Sequence, residues 1–271
     1  MIREANCILN QLGDVDDVFT FNSILIELFK TIPRKMKNVD DYLISDISEK
    51  KGILASEYDL LDSMKSKVKI TTSESSNLLE TLGLSAEPVT DAKRIGQIKK
   101  HLGESARFFD EAFRIHNKKC EERFSQFMKD HHYSEKNIHY LYHGSRNQNW
   151  ISLLEQGLIL HPNAIKTGSM FGHGLYFAPR AKKSIGYTSL DGQNPWTKER
   201  CNQAFLAVFK VLYKNQKDIH SFSSECSRFN YKNIQPHDAV FAHKGQMLYN
   251  DEVIVYQEPQ CVIQYLISLK N

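Results

Sequence analysis

Between Val18 and Ile32 the chain reads VFTFNSILIELFKTI, with Phe21, Ile24, Leu25, Leu28, Phe29 and Ile32 recurring three or four positions apart. That is the period by which a helix gathers one apolar face. Asp17 is placed to cap it and Pro33 to end it. Three more amphipathic stretches follow, over Val39 to Met64, Ser76 to Leu84, and Asp91 to Leu102, the last with Ile95, Ile98 and Leu102 on one face. Stripes of this kind read as helix-packing core. TTSESS, Thr71 to Ser76, reads as a linker or loop between them.

After about Gly103 the pattern changes. RFFDEAFRIH can be a strand, CEERFSQFMKD is helical, and IHYLYHGS is a short strand entering a turn. WISLLEQGLIL is a helix closed by Gly157, while AFLAVFKVLY, EVIVY and CVIQYLISL are β-branched or aromatic runs typical of strands. Helices first and strands later predict an α+β chain. The expected division is a helical domain over residues 1–103, packed on a mixed or antiparallel sheet domain over 104–271.

Composition adds little to this picture and charge a little more. The 271 residues carry a net charge of +3, too small to argue for nucleic acid. Residues 1–103 hold 14 Lys and Arg against 16 Asp and Glu, a net of −2. The remainder holds 21 against 16, a net of +5, which suits a phosphate-bearing ligand. Cys7, Cys120, Cys201, Cys226 and Cys261 are scattered without a C-x-x-C pair, so they read as reduced thiols rather than a disulfide frame or zinc site. With no apolar run of membrane-spanning length and no signal-peptide core in MIREANCILNQLGD, the expectation is a soluble intracellular protein with no membrane contact.

The common nucleotide and hydrolase motifs are missing. Gly172-His-Gly174-Leu-Tyr-Phe177 lacks the third glycine of a dinucleotide fingerprint, and no phosphate-loop, H-E-x-x-H or G-x-S-x-G motif occurs. His131-His132 lies in the polar KDHHYSEK and reads as a solvated helix end, so no metal is expected. What remains is an ordered set: His143-Gly144-Ser145 behind a strand, Tyr176 in SMFGHGLYF, Ser184 and Tyr187 in KSIGY, and Glu252 opening the strand of NDEVIVY. Taken singly, each has a plain structural reading as a turn, a core tyrosine or a strand end.

Taken in order, the set resembles the catalytic domain of the poly(ADP-ribose) polymerases, the diphtheria-toxin-like ADP-ribosyltransferases with a His-Tyr-Glu triad. YHGSRNQNWISLLEQGL, TGSMFGHGLYFAPRAKKSIGY and LYNDEVIVYQEPQCVIQYLISLK carry the likeness over roughly residues 104–271. Upstream, FNSILIELFKTIP and LLETLGLSAEPVTDAKRIGQIKKHL resemble later parts of the family's helical regulatory domain more loosely.

The resemblance implies an enzyme for which NAD⁺ is a glycosyl donor consumed in the reaction, with no other cofactor. The nicotinamide–ribose bond would break with oxocarbenium character, as in glycoside hydrolysis. His143, Tyr176 and Glu252 would form the catalytic triad, Glu252 bonding the 2′-hydroxyl of the nicotinamide ribose and His143 the adenosine-side ribose. Gly144 would offer bare backbone to the nicotinamide amide, with hydroxyls from Ser145 and Ser184. Tyr187 would stack on the ring, Tyr176 would wall its other side, and Arg146 and Asn149 would line the channel.

The family's best-known members read LYNE where this chain reads LYNDE. Asp251 and Glu252 must face opposite ways on a strand, and counting back from IVY favours Glu252. Ile159 stands where an arginine is frequent, and Ser169 where a tyrosine is. The helical region is short by the same comparison, which implies a weakly restrained site. The implied acceptors are proteins, including the enzyme itself, with chain extension favoured by Glu252. Mono-transfer at the same site and a silent NAD⁺- or ADP-ribose-binding module are the alternatives. DNA is a possible effector that the sequence itself does not indicate, for it holds no zinc finger, basic run or aromatic-basic platform.

Overall fold

Apolar residues at helical spacing fold Ile2–Gly13 (α1), Val18–Thr31 (α2) and Lys50–Thr72 (α3). Asp17 starts α2 by accepting a hydrogen bond from the Thr20 N–H at 2.8 Å. A capping box between Asp46 and Glu49 closes the short 3₁₀ turn Ile47–Glu49 that leads into α3. The stretch expected as one helix from Val39 to Met64 is therefore two 3₁₀ turns, Val39–Tyr42 and Ile47–Glu49, followed by α3. Asn38 and Asp46 divert it, since each side chain caps a new turn. Leu9 and Leu12 of α1, Phe21, Leu25 and Leu28 of α2, and Leu54 and Leu61 of α3 form one buried core. Arg34 grips Glu57 of α3 in a two-pronged pair, both contacts at 2.6 Å.

The computed structural model describes every residue except 1, 33, 35–37, 73–78, 80–81, 161–169, 194–200 and 246–247. Most of the expected Ser76–Leu84 stripe and of the TTSESS linker, as well as Ser169, thus fall outside the described residues. The described chain forms two compact units, the helical one ending at Thr72.

The second unit begins well before residue 104. Leu84–Pro88 (β1) pairs antiparallel with Phe109–Asn117 (β2), and Ala92–Leu102 (α4) buries Ile98 and Leu102 in the same core as Ala112, Leu206 and Ile267. A helical stripe reveals a buried face but not the core that buries it, so the units divide at Thr72 and not at Gly103. Next come Lys118–Asp130 (α5), Ile138–Gly144 (β3), Trp150–Gln156 (α6), Leu175–Phe177 (β4) and Ala181–Ile185 (α7). Gly157 ends α6 at φ 78°, where a glycine is at ease. Gln203–Leu212 (β5), Gln216–Ile219 (β6), Ala239–Ala242 (β7), Glu252–Val255 (β8) and Cys261–Lys270 (β9) complete the unit.

Five strands form an antiparallel sheet in the order β1-β2-β9-β5-β3, and four form a mixed sheet in the order β4-β8-β7-β6. The fold is α+β. Tyr142 and Ala178 exchange both backbone hydrogen bonds at 2.9 Å, tying the end of β3 to the end of β4. The two sheets share a core that includes Leu141, Phe209, Phe177, Val253, Trp150 and Ile263. No described helix is long and apolar enough to cross a membrane.

Candidate active site

Strand register decides which residues meet. Tyr142 pairs with Ala178 across the join of the two sheets, and Phe177 pairs with Val253. His143 and Gly144 therefore run alongside Phe177 and Tyr176, and Glu252 opens β8 directly beyond Val253. Residues separated by more than a hundred positions are brought to one seam by antiparallel pairing alone.

The His143 ring sits edge-on to Phe177 and Phe209, each 6.0 Å away. Its Nδ1 lies 3.0 Å from the Tyr176 carbonyl oxygen. A carbonyl can only accept, so Nδ1 carries a proton and donates it to this bond, leaving Nε2 on the other side of the ring. The Tyr176 hydroxyl donates to the Gly172 carbonyl at 2.8 Å and accepts from the Phe171 N–H at 3.0 Å. Burial raises its pKa far above the ordinary tyrosine value, so it is a neutral wall and not a base.

At Gly144 a Cβ would overlap the Ser184 carbonyl, with the carbonyl carbon only 2.7 Å away. The glycine is thus required by the close approach of β3 to α7, whatever lies on its open side. Gly144→Ala is expected to cost about 1–3 kcal/mol through overpacking, seen as a lowered Tm in thermal unfolding. Ser184 is buried, and its hydroxyl donates to the Tyr142 carbonyl at 3.1 Å. The Ser145 hydroxyl accepts from the Asn149 amide at 3.0 Å, so Asn149 positions Ser145. Arg146 and Ile159 are half-buried, and Tyr187 is partly exposed, at 45 %.

The two adjacent carboxylates are separated. Asp251 precedes β8, and its Oδ1 accepts from the Lys244 N–H at 2.8 Å, pinning the incoming loop. Glu252 is only 7 % exposed and forms an ion pair with Lys183 of α7. Burial holds the Lys183 ammonium down to about 8, against an opposing pull from Asp251. Sequence reasoning passed over Lys183. It stands beside Ser184 in KSIGY, but its pairing with a carboxylate 69 positions away has no local signature. His131 packs against Phe127 and Tyr133, and the described residues hold no cluster of three His, Cys, Asp or Glu able to bind a metal.

Residues 91–271 match the poly(ADP-ribose) polymerase catalytic domain, and the chain belongs to that family. Poly [ADP-ribose] polymerase 2 of Arabidopsis thaliana is 33% identical over 169 residues, covering 55% of this chain and 26% of that protein. Poly [ADP-ribose] polymerase of Drosophila melanogaster is 39% identical over 179 residues, 59% of this chain and 17% of that protein. The putative poly [ADP-ribose] polymerase-like 100L of Invertebrate iridescent virus 6 is 26% identical over 157 residues, 56% of this chain and 80% of that protein. The chain thus spans about a quarter or less of the length of the plant and insect relatives it matches, and most of the viral one.

Proposed function

We propose that the second unit is an NAD⁺-dependent ADP-ribosyltransferase that moves ADP-ribose onto protein, itself included, and extends the chain. The observation that carries this reading is Glu252, a buried carboxylate at the head of β8, paired with Lys183 and lying by strand register beside the seam of His143 and Tyr176.

NAD⁺ would lie along that seam. The nicotinamide amide would meet the Gly144 backbone and the hydroxyls of Ser145 and Ser184, its ring between Tyr176 and Tyr187. His143 would offer Nε2 to a ribose hydroxyl of the adenosine side. As the bond from ribose C1′ to the nicotinamide nitrogen breaks, the bonding electrons leave with neutral nicotinamide and positive charge grows on the sugar. Glu252 would accept the 2′-hydroxyl proton in a hydrogen bond and stabilise that charge, a contribution of about 2.7–4 kcal/mol for one well-placed group. An acceptor carboxylate then attacks C1′ directly, or an acceptor hydroxyl does so and releases its proton to water. Arg146 and Asn149 would line the same channel.

Incubation of the whole chain with NAD⁺ labelled in its adenylate, followed by a denaturing gel, tests the reading. A labelled ladder is expected. One discrete band would reduce the activity to mono-transfer. Bound NAD⁺ with neither label nor nicotinamide release would leave only a silent binding module.

A further inference from the structure

Tyr142 and His143 are consecutive on β3, so their side chains point to opposite faces of the five-stranded sheet. On the Tyr142 face, beside α4, lies a cavity of about 360 Å³. That is within the ~300–1,000 Å³ range of small-molecule sites. Its cations are Arg94 of α4, Arg114 of β2 and Lys210 of β5, and no carboxylate lines it. None of the three has an ion-pair partner among the described residues. Glu87 stands opposite Arg114 in the β1–β2 register, but its carboxylate approaches His116, at 3.8 Å.

The floor supplies the second observation. Gln264 of β9 lines the cavity and is only 8 % exposed, so its side-chain amide is a polar group on an otherwise buried residue at the cavity wall. An amide there offers both a donor and an acceptor to whatever occupies the cavity. The walls add flat aromatic surface. Tyr140 is 48 % exposed, and Tyr142 is fixed by a 2.5 Å hydrogen bond between its hydroxyl and His101 Nδ1. A second cavity of about 260 Å³ shares Arg114, Lys210 and Gln264 with the first, but Glu121 and Glu135 also line it. Those carboxylates would disfavour an anion there relative to the first cavity.

We propose that this cavity is a second nucleotide site, on the sheet face opposite His143, that takes a nucleoside diphosphate. The phosphates lie among Arg94, Arg114 and Lys210, the base stacks on Tyr140, and the Gln264 amide reads the base edge. A free nucleotide and the ADP-ribose group of a modified protein share this chemistry.

Isothermal titration of the full chain with ADP tests the assignment. The double variant Arg114→Ala/Lys210→Ala should bind at least tenfold more weakly, because charge-assisted contacts to phosphate are the strong ones. Gln264→Leu, which keeps shape and loses only the amide, should weaken ADP severalfold. Nicotinamide release from NAD⁺ should be unchanged in these variants, and His143→Ala should leave ADP bound. Loss of ADP binding in His143→Ala, with the cavity variants unaffected, would place ADP in the donor site and overturn the proposal. Pyrophosphate binding as tightly as ADP would overturn it too, by removing any role for the base. A synthetic ADP-ribosylated peptide separates the two sources: binding comparable to ADP assigns the site to modified protein, and binding of ADP alone assigns it to free nucleotide.

Discussion

Glu252→Gln is expected to lower nicotinamide release from NAD⁺ by about 10²–10³-fold, the loss typical of removing one preorganised electrostatic group. The substitution keeps shape and removes charge, so affinity for a nicotinamide mimic such as benzamide should change little. Lys183 loses its partner in this variant, but burial lets it give up its proton more readily than a free lysine, so the fold should tolerate the change. Asp251→Asn is the matched control. Asp251 accepts a backbone hydrogen bond from Lys244 and lies outside β8, so an amide there should cost no more than a few-fold. The assignment fails if Asp251→Asn is the crippling change and Glu252→Gln the mild one.

The second large effect is one of pH. With Lys183 held down to about 8, its ammonium pairs with Glu252 below that pH and the pair dissolves above it. Nicotinamide release should fall as pH rises through 8, toward a tenth for each further unit if the charged pair is needed to hold Glu252 in place. Lys183→Arg carries a charge that survives to very high pH. Its absolute rate should be lower because the planar guanidinium fits differently, but its alkaline fall should vanish between pH 7 and 10. Superimposable alkaline limbs in the two proteins would show that Lys183 does not hold Glu252.

Much of the fold could be read from periodicity because long elements repeat their signal. VFTFNSILIELFKTI was legible as a helix, and the strands of AFLAVFKVLY and CVIQYLISL were legible from their β-branched runs. What escaped was whatever depends on partners distant in sequence. LSAEP has no strand-like alternation, and only its pairing with β2 makes it β1. The run from Val39 to Met64 kept an apolar period while Asn38 and Asp46 cut it with local caps that no window average detects. At the candidate site, residue types and order suggested His143, Tyr176 and Glu252. The Lys183 pairing arises from α7 meeting the head of β8, and the crowding of Gly144 from α7 meeting β3. Neither contact leaves a trace in local sequence.

The early start of the second unit matters to anyone who would cut this chain. Trimming at Gly103 looks natural where the strands begin, yet it would strip β1 from the sheet margin and α4 from its face. The row of N–H and C=O groups along β2 would become a raw border, ready to zip onto the next molecule. Ala112, Leu206 and Ile267 would lose the helix that shelters them. Such a fragment should precipitate, whereas one cut directly after Thr72 keeps both elements and should remain dispersed.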